Sequence, residues 1–256
     1  MERAALSGGL SVAPTHIKWR LAAVRDVIVE TPRAKTLVLD VPGWHGHCAG
    51  QHVDVRLTAE DGYQAQRSYS IASAPEDATL ALTVERLEDG EVSPYLTDEL
   101  GRGDALELRG PIGGYFVWRI QDGGPLLLVA GGSGLVPLMA MVRHRAAQSS
   151  TVDTRLLLSA RSSDDVLYRD ELTRLGGGDG LAVHQTFTRQ PPAGWPGFAR
   201  RIDADMLSRV GPPASQRPRI FVCGPTAFVE RAADLLLGLG HDSAAIHLER
   251  FGATGG

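Results

Sequence analysis

From Lys18 to Arg109 apolar residues come in short runs that alternate with polar ones, punctuated by glycine, proline and aspartate. Residues 21–30, 35–41, 52–58, 63–71, 79–86 and 105–109 read as β-strands on that pattern. Six strands at such spacing predict a small antiparallel β-barrel. One helix is expected among them, with Ser93 as N-cap, Pro94 at the first helical position and an end at Leu100. Beyond Gly110-Pro111 the pattern changes. Residues 125–130 are continuously apolar, as a strand buried on both faces requires. A helix follows, then strand 155–160, helix 165–175 and strand 182–187. A Pro/Gly-rich loop leads to a short helix over 203–209, strand 219–223, helix 226–239 and strand 244–248. This alternation predicts an open five-stranded parallel α/β sheet, joined to the barrel near residues 116–124.

Composition narrows the functional classes. A chain of 256 residues holds one large or two modest domains. A formal charge of -4 gives no basic footprint, so nucleic acid is not an expected partner. No apolar run approaches the roughly 20 residues of a membrane span. Residues 1–15 are small and polar without a long apolar stretch, which suggests a flexible tail rather than a signal peptide. The two cysteines, Cys48 and Cys223, fit a reducing cytoplasm and are too few for a four-cysteine iron–sulfur cluster within this chain.

Chemistry concentrates at the ends of particular strands. In Arg67-Ser68-Tyr69-Ser70 an arginine, an aromatic ring and hydroxyls alternate, which places Arg67 and Tyr69 on one face and Ser68 and Ser70 on the other. A guanidinium pairs with phosphate, a tyrosine ring lies against a flat heterocycle, and a hydroxyl bonds a ring nitrogen. Gly131-Gly132-Ser133-Gly134 joins an apolar strand to a helix, the setting in which backbone N–H groups receive a pyrophosphate. Cys223-Gly224-Pro225 ends a strand at the same edge of the sheet, where ligands of open α/β folds bind.

Five segments, taken together and in order, carry a resemblance. They are Arg67-Ser68-Tyr69-Ser70, Gly90-Glu91-Val92-Ser93, residues 110–116 (Gly-Pro-Ile-Gly-Gly-Tyr-Phe), residues 131–137 (Gly-Gly-Ser-Gly-Leu-Val-Pro) and Cys223-Gly224-Pro225. The chain from about residue 17 onward resembles the ferredoxin–NADP reductase family. That resemblance implies an FAD-binding barrel over residues 16–118 and an NAD(P)-binding α/β domain over 119–256, with flavin and nicotinamide meeting between them. It implies Arg67 on the flavin pyrophosphate, Tyr69 stacked on the isoalloxazine and Ser70 near its N5, with Ser68 in the same motif. Thr83, Val84 and Glu85 would line the flavin through their backbone. Gly90, Val92 and Ser93 would donate to the pyrophosphate. Gly132, Ser133 and Gly134 would hold the nicotinamide dinucleotide, and Cys223, with Gly224 and Pro225, would sit beside its ring. At the chain end Phe251 would shield the flavin and Glu249 would relay a proton, ahead of a glycine-containing tail over 252–256.

Thr188 and Arg189 stand where NADP-specific relatives place a hydroxyl and an arginine, and Arg161, Arg200 and Arg201 are further candidates, so NADPH is favoured over NADH. His45, His47, Cys48 and His52 are close enough to suggest zinc. However, Gly50-Gln51-His52-Val53 resembles the family's ordinary entry into its third strand, and no metal is expected. His144 and His184 suggest no site. The implied activity is reduction of bound FAD by NAD(P)H with electrons passed to a separate acceptor protein: a ferredoxin, an oxygenase component or another redox enzyme. A free-flavin reductase, or a flavin-binding relay subunit without nicotinamide chemistry, remains the alternative. A cytoplasmic monomer is expected.

Overall fold

A computed structural model describes residues 17–176, 178 and 180–251. The expected tail at 1–15 and the stretch 252–256 lie outside the described residues. Six antiparallel strands form the first sheet: β1 (Arg20–Thr31), β2 (Ala34–Asp40), β3 (His52–Thr58), β4 (Gln64–Ser70), β5 (Leu80–Glu85) and β6 (Ala105–Ile112). Their spatial order is β4-β3-β6-β1-β2-β5. An isolated antiparallel bridge between Ile71 and Leu82, with Ala72 N donating to Ala81 O at 2.8 Å, brings the two outer strands together and closes the barrel. Closure protects edges that would otherwise offer unpaired backbone groups. Inward residues Leu37, Leu39, Val53, Val55, Leu82, Val84 and Leu108 fill the interior.

The expected helix after β5 differs from its sequence reading. Residues 95–99 form a π-helical turn (Tyr95–Glu99), and Leu100 N donates to Tyr95 O at 3.0 Å. Ser93 is no N-cap: its Oγ accepts the Leu87 amide at 3.1 Å. The Thr97 hydroxyl donates to Ser93 O at 2.9 Å, occupying a carbonyl of the first turn. Leu96 and Leu100 plug the barrel.

The second sheet is parallel: β7 (Leu126–Gly131), β8 (Thr154–Ser162), β9 (Leu181–Gln190), β10 (Arg219–Pro225) and β11 (Ile246–Phe251), ordered β11-β10-β7-β8-β9. Every residue of β7 is buried because both faces are covered. Leu128 packs with α1 (Leu135–Ala147) and α2 (Arg169–Leu175) on one side. Leu127 and Val129 pack with α3 (Ala204–Val210) and α4 (Thr226–Gly238) on the other. Helix α2 is shorter than expected. Ser163–Asp165 form a separate 3-10 turn closed by a Ser162–Asp165 capping box, and Tyr168 then takes a left-handed conformation (φ 53°) that no continuous helix contains. The last strand starts later than expected, because Ser243–Ala245 form a 3-10 turn capped by Asp242.

Helix α1 is buried from Leu135 through Val142 because it lies between the parallel sheet and the barrel. Ala49 and Ala72 of the barrel half belong to the same buried cluster as α1. Gly50 (φ 100°) permits this approach, since a Cβ there would sit 2.8 Å from Met141 Cε of α1 and 2.0 Å from the Phe116 carbonyl oxygen. Among the described residues no helix is long and apolar enough to cross a membrane.

Candidate active site

Parallel pairing of β10 with β11 sets Cys223 beside Glu249 and Pro225 beside Phe251 at the carboxyl ends of both strands. Strand β4 of the barrel ends at the same place. Ser70 Oγ donates to Glu249 Oε1 at 3.1 Å, and Cys223 Sγ lies 3.9 Å from that oxygen. Burial pushes the Glu249 carboxyl above the usual range, opposed by its hydrogen bonds from Ser70 and Cys223. Burial likewise raises the Cys223 thiol well above the usual thiol range, with the Glu249 charge adding to it, so the sulfur stays protonated at neutral pH. The junction therefore contains a hydroxyl, a thiol and a carboxyl, all suited to holding or passing a proton. Phe251 packs at the margin of the Cys223-containing core, and its carbonyl accepts the Thr226 hydroxyl at 3.3 Å.

On β4 the side chains separate as alternation requires. Tyr69 packs toward the barrel core, and its burial pushes the phenol well above its ordinary range. Ser68 points elsewhere and donates to the buried Asp54 carboxylate at 2.6 Å, so its hydroxyl is already engaged. Arg67 is half-exposed and pairs with Glu91 at 2.7 Å. Thus an anion already sits on the guanidinium expected to take the flavin phosphates, beside Gly90 and the buried Val92 and Ser93. The donor set fits a phosphate group. The side chains of Thr83, Val84 and Glu85 are occupied elsewhere: Thr83 bonds Thr36 at 2.7 Å, Val84 lies in the barrel core and Glu85 pairs with Arg33 at 2.9 Å. Their backbone is what they can offer a flavin.

The Gly-rich turn divides its labour. Gly132 (φ 55°) has open space where a Cβ would point, and no side chain caps the turn or the helix α1 that follows. The turn borders an open cavity of about 220 Å³ lined by Gly131, Gly132, Ser133, Arg161, Thr188 and Pro225. This fits a dinucleotide pyrophosphate at a helix N-terminus. Gly134 serves packing instead, since a Cβ there would lie 2.1 Å from the Cys223 carbonyl oxygen. At Gly224 (φ 155°) a Cβ would lie 3.1 Å from the Gly131 backbone, a looser but still tight approach. Thr188 Oγ1 donates to Ala160 O at 3.3 Å, while Arg189 is exposed. Arg200 differs from the other candidate cations, being held by Asp203 at 2.5 Å and Asp205 at 2.9 Å.

Sequence reading missed the residues that join the two halves. Tyr168 is buried with its hydroxyl donating to Thr83 Oγ1, while its amide reaches Glu30 at 3.3 Å. Arg143 stacks 4.6 Å over the Tyr168 ring, pairs with Glu171 at 2.6 Å and donates to Ala72 O at 2.7 Å. Glu76 of the barrel half receives His144 at 2.8 Å and Gln148 at 2.7 Å. His47, of the discounted histidine group, bonds Ser73 O at 3.1 Å, and no metal-binding cluster occurs among the described residues.

A barrel with an anion-holding arginine, facing a parallel sheet with a Gly-rich strand–helix turn, defines a class: oxidoreductases that bring a flavin and a nicotinamide together. Comparison with known proteins supports that class. Residues 24–117 match the family model of an oxidoreductase FAD-binding domain, and residues 128–234 that of an oxidoreductase NAD-binding domain. Ferredoxin–NADP reductase B of Sorangium cellulosum is 34% identical over 213 residues, covering 79% of this chain and 84% of that protein. A glycine betaine monooxygenase reductase subunit of Pseudomonas aeruginosa is 33% identical over 210 residues, 80% of this chain but 56% of the relative. The chain thus spans little more than half the length of that relative.

Among solved structures, the flavohem-like FAD/NAD-binding domain of a nitric oxide dioxygenase from Vibrio cholerae superposes with a TM-score of 0.80 at 25% identity. It covers 91% of this chain and 98% of that one. A cytochrome P450 reductase from Amycolatopsis gives a TM-score of 0.80 at 26% identity, covering 93% and 71% of the two chains. The chain belongs to the ferredoxin–NADP reductase family and carries an oxidoreductase FAD-binding domain followed by an oxidoreductase NAD-binding domain.

Proposed function

We propose that this protein is the reductase of a multicomponent redox system, taking a hydride from NAD(P)H and delivering electrons to a separate protein acceptor. The observation that carries this reading is the meeting of Ser70 from the barrel with Cys223 and Glu249 from the parallel sheet, at the carboxyl ends of β10 and β11. A junction between a flavin module and a nicotinamide module has use for proton-holding groups from both.

Bound FAD would supply acceptance of a hydride and release of electrons one at a time. The protein's own part is binding, orientation and proton placement. Arg67 and the amides around Gly90, Val92 and Ser93 hold the flavin phosphates, and Tyr69 lies against the ring. The backbone of Thr83, Val84 and Glu85 borders the flavin, and Ser70 fixes the ring edge. Gly132 and Ser133 receive the dinucleotide phosphates, and Cys223, Gly224 and Pro225 border the nicotinamide. Glu249, whose Oε1 accepts the Ser70 hydroxyl, takes up and passes on a proton, and Phe251 covers the cleft. Residues 16–118 and 119–256 form the two functional modules.

NADPH is the preferred donor on this reading. Arg161 lines the cavity and Arg189 is exposed at the end of β9, and neither makes an ion pair among the described residues. The acceptor is a ferredoxin, an oxygenase component or a comparable redox protein, as the oxygenase-system names of several relatives suggest. The two free thiols accord with work in the cytoplasm, and a monomer is the proposed state. Anaerobic stopped-flow mixing of the yellow holoprotein with NADPH and then NADH tests the proposal. Rapid bleaching of flavin absorbance, faster with NADPH, is the expected result. Absence of bleaching by either nucleotide with flavin bound overturns it.

A further inference from the structure

Glu91 has no role in the reading above, yet it is the residue paired with Arg67. Its carboxylate sits 2.7 Å from Arg67 Nη2 and accepts the Tyr63 hydroxyl at 3.0 Å. Arg67 is fixed further by donating Nη1 to the Gln66 carbonyl at 2.8 Å. Residue 91 follows Gly90 directly and precedes Val92 and Ser93, at the start of the helical turns that run from Ser93. The chain therefore places an anion of its own in a site built for one.

We propose that Glu91 is an internal competitor for the flavin phosphates, released when FAD binds and returned when FAD leaves. The inference rests on the assignment of Arg67 to the flavin pyrophosphate. One guanidinium cannot serve a carboxylate and a phosphate with full strength, and two anions brought to the same few ångströms repel each other. FAD entry must break the Arg67–Glu91 pair, while Tyr63 remains a partner for the displaced carboxylate. The flavin is thereby held less tightly than its donor set allows and exchanges with solution. The empty site, conversely, is protected from an unpaired arginine. A glutamine at position 91 keeps the size and the Tyr63 contact but gives up the charge.

The test compares wild type, Glu91→Gln and Arg67→Gln as full chains, stripped of flavin and titrated with FAD and with riboflavin by flavin fluorescence. Glu91→Gln should bind FAD roughly fivefold more tightly at low salt, the size expected of an exposed ion pair. The gain should shrink as salt screens the charges. Riboflavin, which has no phosphate, should bind wild type and Glu91→Gln alike. Arg67→Gln should weaken FAD. Unchanged FAD affinity in Arg67→Gln overturns the phosphate assignment and the competition with it. Weaker FAD in Arg67→Gln together with no tightening in Glu91→Gln overturns the competition alone, and so does an equal gain for riboflavin. Release of FAD from holoprotein, followed without stripping, is a second readout: it should be slower from Glu91→Gln, and an equal or faster rate overturns the proposal.

Discussion

Ser70 and Glu249 share a hydrogen bond of 3.1 Å across 179 residues of sequence, tying the end of a barrel strand to the outer strand of the parallel sheet. The carboxyl in that bond is raised by burial, so the folded protein binds its proton more tightly than the unfolded chain. The sign follows directly. Stability from this group is fully present below the ordinary carboxyl value and is lost as pH rises through the raised one. Glu249→Gln keeps the contact and cannot ionise. Its flavin-free form should gain on wild type as pH is raised from acid to above neutrality, measured by thermal unfolding at each pH.

Removing the hydroxyl should separate binding from chemistry. Ser70→Ala is expected to retain FAD and to slow its reduction by NAD(P)H about a hundredfold, the lower range for a group acting in proton transfer or positioning. Stopped-flow reduction alongside flavin content measures both. Equal rates would remove Ser70 from the site.

Gly134 faces the Cys223 carbonyl too closely for any side chain. Gly134→Ala should destabilise the protein by about 3 kcal/mol, the upper range for overpacking against a part that cannot rotate away. Gly132→Ala meets no neighbour and should lose stability only through its left-handed backbone, about 1 kcal/mol. Denaturant unfolding of the two variants ranks them.

Charge near the dinucleotide makes a third contrast. Arg189→Ala should raise the KM for NADPH about tenfold while leaving that for NADH near wild type, the signature of a lost charge-assisted contact to phosphate. Arg200→Ala should alter neither, because Asp203 and Asp205 already hold that guanidinium. Steady-state kinetics with both nucleotides decide.

At the join between the halves, Arg143→Met removes one partner of a largely buried pair and leaves Glu171 without it. A loss of about 3 kcal/mol is expected from an uncompensated carboxylate. Thermal unfolding of the double variant Arg143→Met/Glu171→Leu should recover part of it.

Which of these features could be read in the sequence depends on how local their causes are. Strand positions followed from alternation, and His52–Thr58 agrees at both ends. The Gly-rich turn was legible as a connection because glycines between an apolar strand and a helical pattern mark a tight strand–helix join. Ser93 misled for a related reason. Ser-Pro is a sound local signal for a helix start, but a tertiary contact, the Leu87 amide, takes the hydroxyl. Tyr168 and Arg143 were not legible at all. A left-handed tyrosine and an arginine reaching across to the Ala72 carbonyl are products of docking two halves, and no periodicity within one half encodes them. Glu91 was visible as a motif residue, but its pairing with Arg67 depends on how strand β4 and the loop before the π-turn approach each other.

Three alanines of the barrel half, Ala34, Ala49 and Ala72, lie in one buried cluster with helix α1 and Phe221 of the other half. A shared buried apolar interface restrains the two modules from opening against each other. Heat or denaturant should then melt the described fold in a single step. On the proposed function, access to the cleft would then fall to something smaller than a swinging domain: the half-buried ring of Phe251, one side chain turning in place of a hinge.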